Sequence, residues 1–68
     1  MPYINLQITK GATRDQKAVL VREFTEALVR VLGKKPEHIH MVIEEIDEEN
    51  WGFSGMLTDD IRKLNQKK

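Results

Sequence analysis

With 68 residues, no cysteine, and eleven basic side chains balanced by eleven acidic ones, the chain has room for one domain over residues 1–68, no disulfide framework, and no net field to draw it to nucleic acid or anionic lipid. No apolar run approaches the roughly 18 residues of a membrane span, and the N-terminus lacks the basic-then-apolar order of a signal peptide, so the expectation is a cytoplasmic protein with no membrane and no nucleic-acid partner. A chain this short buries only about 60% of the surface its unfolded form exposes, and without cysteine the expected source of the missing core is oligomerisation.

Residues 2–9 alternate, with Ile4, Leu6 and Ile8 on one face and Tyr3, Asn5, Gln7 and Thr9 on the other, which is the period of a half-buried strand. Pro2 lies on the Ile4 side and holds the first place of the strand, where a missing N–H is tolerated. Gly11 breaks the alternation, and Thr13 followed by Gln16 carries the capping-box signature of a helix start. Leu20, Val21, Phe24, Ala27, Leu28, Val31 and Leu32 then recur at helical spacing, while Arg14, Lys17, Arg22, Glu23, Glu26 and Arg30 take the polar positions. The spacing predicts an amphipathic helix of about five turns, closed by Gly33 and by Lys34, Lys35 and Pro36 behind it.

Residues 39–46 read as a second strand, with Ile39, Met41 and Ile43 on one face and His40, Val42 and Glu44 on the other. Strand, long helix and strand imply a right-handed crossover and two parallel strands. The fold class is therefore α+β: a β-α-β subunit whose open edges are expected to pair with a second copy, giving a four-stranded sheet covered by two helices. A polar turn over residues 47–50, a glycine-punctuated hairpin over residues 51–56 and a short helix capped by Thr58 and running to about residue 64 complete the expectation.

Pro2 carries the clearest chemical signal. Removal of Met1 would leave a free secondary amine, which a proline inside a chain does not have. An α-amino group titrates near about 7.7–8.0, and an apolar pocket lowers that value, so Pro2 can serve as an unprotonated base at neutral pH. His38 and His40, two apart on a strand, would share a face with Glu44, but no third ligand is fixed by spacing, and no metal or other cofactor is expected. Glycine-rich phosphate loops, nucleophile elbows and zinc motifs are absent from the sequence.

Met1-Pro2, the run Thr13-Arg14-Asp15-Gln16-Lys17 after Gly11, the strand at 39–46 and the run Asn50-Trp51-Gly52-Phe53-Ser54-Gly55 together make the chain resemble the 4-oxalocrotonate tautomerase family over about residues 2–57. The resemblance implies a β-α-β subunit, a dimer of such units and usually a hexamer built as a trimer of dimers. It also implies a homo-oligomeric, cofactor-free isomerase in which Pro2 shuttles a proton between carbon and oxygen of a small keto or enol acid. Ala12 stands where the founding members carry an arginine, His40 where they carry a second, and Trp51 where they carry a pocket aromatic, often phenylalanine. Pro2 as the catalytic residue, with His40 and Trp51 binding substrate, is the site so implied, and His40 is expected to share a face with Pro2 across the sheet. A charge-assisted hydrogen bond to a carboxylate contributes about 1.5–3 kcal/mol, so losing both arginines would cost roughly two to four powers of ten. A dicarboxylate substrate is then disfavoured against a smaller or more apolar one. Lys10, Arg14, Lys34, Lys35 and Arg62 are candidate substitutes for the missing cations. Two other readings stay open: hydration or dehalogenation with protonated Pro2 as an acid, and a non-catalytic oligomeric binding module.

Overall fold

The computed structural model describes residues 2–66; Met1, and with it the expected N-terminal processing, lies outside the described residues. Strand β1 covers Tyr3–Thr9, helix α1 Arg14–Leu32 and strand β2 His40–Ile46. A hairpin of β3 (Gly52–Phe53) and β4 (Met56–Leu57) leads into helix α2 (Thr58–Gln66). Single 3₁₀ turns at Pro36–His38 and Glu48–Asn50 flank β2.

Strands β1 and β2 pair in parallel, Tyr3 beside His40 through Thr9 beside Ile46. The alternation expected from the sequence holds along both: Ile4, Leu6, Ile8, Met41, Ile43 and Glu45 are half-buried, while Tyr3, Asn5, Gln7, His40, Val42 and Glu44 are exposed. In a parallel ladder each residue sends both backbone groups to the same neighbour, alternating along the strand. The Pro2 carbonyl accepts from the His40 N–H at 3.1 Å, and the Lys10 N–H donates to the Ile46 carbonyl at 3.3 Å. The even positions of β1 therefore address β2, and the N–H and C=O groups of Tyr3, Asn5, Gln7 and Thr9 face an open edge.

Helix α1 starts as its sequence requires. Thr13 Oγ1 accepts from the Gln16 N–H at 3.1 Å, and Gln16 Oε1 accepts from the Thr13 N–H at 2.9 Å, so two of the orphan donors of the first turn are satisfied reciprocally. The helix ends on Gly33 at φ 67°, whose N–H reaches the Val29 carbonyl at 3.0 Å; this left-handed geometry favours glycine.

The hairpin turns through Ser54 and Gly55, both at positive φ (55° and 75°), the twist that matches a two-residue loop to right-twisted strands. The structure corrects the expectation of Thr58 as a helix cap. Thr58 is the first residue of α2, and its N–H and hydroxyl both donate to the Trp51 carbonyl, at 2.8 and 2.7 Å. That double tie fixes α2 to the end of the second 3₁₀ turn, and it makes Thr58, 8% exposed, the one buried residue among those described.

No described apolar side chain is buried, and Val31 (71%), Tyr3 (61%) and Leu32 (57%) stand largely in solvent. The radius of gyration is 15.9 Å, against about 11 Å for a compact chain of this length. The accessible surface is 5453 Å², against about 4400 Å² for a folded monomer of this mass. One chain thus leaves both the β1 edge and the core open, as the size argument anticipates.

Candidate functional site

Pro2 is half-buried at the head of β1. Its neighbour in the continued register is Ile39, and both belong to the face of the sheet that carries Ile4 and Met41. His40 belongs to the other face. Its backbone is bonded to Pro2, but its side chain is exposed and alternates with Tyr3 and Val42 away from the proline. The reading that placed His40 and Pro2 on a shared face is corrected by this register, because cross-strand neighbours share a face and Pro2 is one residue out of step with His40.

Trp51 stands at the opposite end of the sheet. With Ile8, Thr9, Phe53, Ile61 and Arg62 it lines a groove of about 520 Å³ along the C-terminal end of β1. Seven residues of strand at roughly 3.3 Å each separate that groove from Pro2 by about 20 Å. Ala12 lies at the same distal end, in an apolar groove with Val19 and Leu20. A single chain therefore brings the backbones of Pro2 and His40 together and keeps Trp51 and Ala12 apart from them. Any pocket holding Pro2 and Trp51 together is composed of more than one chain.

The structure also divides the candidate cations. Lys10 is paired with Asp47 at 2.8 Å and Arg62 with Glu48 at 2.6 Å, both at the Trp51 end, where Arg14 opens α1. Lys34 and Lys35 follow α1 at the Pro2 end. His38 lies in a 3₁₀ turn and not on the strand, which removes the shared strand face suggested for His38 and His40. Glu44 accepts a hydrogen bond from Asn5 Nδ2 at 2.7 Å, and no cluster of three metal-ligating side chains occurs among the described residues.

Sequence reasoning missed one feature. Lys17 and Glu45 form an ion pair between α1 and the covered face of the sheet, with side chains 31% and 27% exposed. The Lys17 ammonium, hydrogen-bonded to Glu45, holds that carboxyl below the usual carboxylate range. Asp47, bonded to Lys10, raises the Lys10 ammonium above its ordinary value. The signal was available: Glu45 falls in step with Met41 and Ile43, and Lys17 sits three residues before Leu20 on the apolar stripe. Two opposite charges on two facing apolar surfaces imply each other.

The family model described as "Tautomerase enzyme" matches residues 2–60. The relative named "Probable tautomerase K2" from Dickeya dadantii (strain 3937) is 43% identical over 56 residues, covering 81% of this chain and 84% of its own. Among solved structures, DmpI from Helicobacter pylori aligns at a TM-score of 0.85 and 31% identity, over 91% of this chain and 97% of that one. A structure from the 4-oxalocrotonate tautomerase isozymes of Methylibium petroleiphilum aligns at 0.84 and 25% identity, over 88% and 97%.

Proposed function

The chain belongs to the tautomerase family of enzymes, and we propose that it interconverts the keto and enol forms of a small α-keto acid with the amine of Pro2 as the proton carrier. The observation that supports this most is the placement of Pro2: it is the first residue matched by the family, half-buried, at the head of a strand whose outer edge is open. Freed by removal of Met1, its nitrogen takes the proton from the enol hydroxyl and returns it to the adjacent carbon as the carbonyl forms. The reverse reaction removes the carbon-bound proton and delivers one to oxygen. No proton is gained or lost over the cycle, and neither direction needs an oxidant or a reductant.

The rest of the pocket is assigned to neighbouring chains of a homo-oligomer. A two-fold axis perpendicular to the sheet at the β1 edge makes the paired strands antiparallel. The Pro2 end of one chain then meets the Trp51 end of the other, and Trp51 supplies an apolar wall. His40, on the open face, reaches a site only in a further copy packed against that face, which suits a trimer of dimers. A cysteine-free chain with no described helix able to cross a membrane, acting on a small keto acid, fits the cytoplasm.

The test is ketonisation of phenylpyruvate enol against pH, on protein shown by intact mass to lack Met1. The rate should rise with an apparent pKa below that of an ordinary α-amine, and Pro2→Ala should lower it roughly 10²-fold or more while the circular dichroism is unchanged. A Pro2→Ala protein with full activity would refute the mechanism. A rate that instead falls as the amine deprotonates would transfer the role of Pro2 to acid catalysis of hydration or dehalogenation.

A further inference from the structure

We propose that Lys10, contributed by a second copy of this chain across a β1–β1 pairing, is the cation that holds the substrate carboxylate beside Pro2; the proposal rests on the tautomerase reading above. The argument begins with the open edge. Only Tyr3, Asn5, Gln7 and Thr9 offer backbone groups there, so a second β1 must pair through those positions. Side chains directly opposite in an antiparallel pair share a face, and a slip of one residue would set the Ile4-Leu6-Ile8 face of one chain against the polar face of the other. Among the registers that keep the faces aligned, one uses all seven residues of β1: Tyr3 opposite Thr9 of the partner subunit, Ile4 opposite Ile8, and Leu6 opposite Leu6. Slips of two residues pair only 3–7 or 5–9. One step beyond Tyr3 in the full register, Pro2 stands opposite Lys10 of the partner subunit, and both belong to the face that α1 covers.

Lys10 is equipped for that place. Its backbone continues the β1–β2 ladder through the bond to Ile46, which fixes where the side chain starts. Its ammonium is steadied by Asp47 at 2.8 Å yet remains 62% exposed, so a substrate carboxylate can approach without first extracting it from a core. The other charges around it are Glu45, which also acts on Lys10, and Lys17, which Glu45 binds. Of the other candidate cations, Arg62 is held by Glu48 beside Trp51, and none falls opposite Pro2 in this register. A positive charge across from the amine also disfavours protonation of Pro2, which is what a base at neutral pH requires.

The experiment is a titration of ¹⁵N-labelled Pro2 by NMR in the Met1-free protein, with KM for phenylpyruvate enol measured on the same samples and assembly followed by sedimentation. Lys10→Ala should raise the amine pKa by roughly half a unit and raise KM about tenfold, while Lys10→Arg keeps both near wild type. Asp47→Asn, which removes the balancing carboxylate, should shift the amine pKa the other way; it decides the matter if Lys10→Ala fails to assemble. An amine pKa and KM indifferent to both substitutions in an intact assembly would overturn the proposal. The titration needs no turnover. A wild-type protein without activity therefore refutes the tautomerase reading, whereas a Pro2 pKa that follows residues 10 and 47 upholds the juxtaposition.

Discussion

Replacing Gln7 by proline should separate the fold of one chain from the assembly of two. Gln7 is an odd position of β1, and its N–H points away from β2 toward the open edge. In a two-fold β1–β1 pair the substitution deletes one interchain hydrogen bond in each direction, between residue 7 and Asn5 of the opposite chain. Each lost bond costs about 0.5–1.5 kcal/mol, or about 1–3 kcal/mol where the abandoned carbonyl stays shielded from water. The two together weaken the dimer by about 1–6 kcal/mol, a rise of roughly 5-fold to 10⁴-fold in its dissociation constant. Sedimentation over a concentration series reads that shift directly. The matched control is Leu6→Pro: an even position addresses β2, so the same substitution one residue earlier removes a bond of the β1–β2 ladder and should unfold the chain, seen as loss of ellipticity. A Gln7→Pro protein that assembles as tightly as wild type would refute pairing at this edge, and with it the route by which Pro2 meets the partner's Trp51.

Two further predictions concern the single chain. Gly33→Ala should lower stability by about 1 kcal/mol, read as a lower thermal midpoint. A Cβ there would meet no atom within 4 Å, and the whole cost lies in holding a side chain at φ 67°. The Lys17–Glu45 pair sets a pH dependence. The folded-state pKa of Glu45 is lowered from 4.5, so its contribution is fully present above that value and disappears as pH falls through the lower, folded-state one. Denaturant midpoints should therefore drop on acidification below about pH 5 more steeply in wild type than in Glu45→Gln; equal slopes would refute the coupling.

The elements of one chain were legible because each is specified locally. The Thr13–Gln16 box, Gly33 and the alternation along β1 name their own hydrogen bonds, and the structure contains them. The limits of α2 were less legible, since Thr58 offers its hydroxyl to a carbonyl seven residues back in the chain, a partner that no local pattern reveals. The relation of His40 to Pro2 failed for a different reason. It depends on cross-strand register, and in a parallel pair the long crossover through α1 leaves that register free of any turn; the facing apolar sets alone decide it.

The same reasoning explains why the sequence offers the proposed site as residue types and not as a place. One chain sets Pro2 and Trp51 at opposite ends of a strand and turns His40 to the other face. A 68-residue chain that leaves its apolar side chains partly in water has the same deficit in its site as in its core, and one operation addresses both. The proposed antiparallel pairing at β1 would cover the edge, join two Ile4-Leu6-Ile8 faces into one, and bring the Pro2 end of each strand to the aromatic and cationic end of the other. Loss of assembly should therefore abolish catalysis even when Pro2, Lys10 and Trp51 are all intact, and Gln7→Pro, which alters none of the three, tests that dependence: its specific activity should climb with protein concentration as dimers re-form. A specific activity that is flat across the dissociation range would mean that one chain suffices.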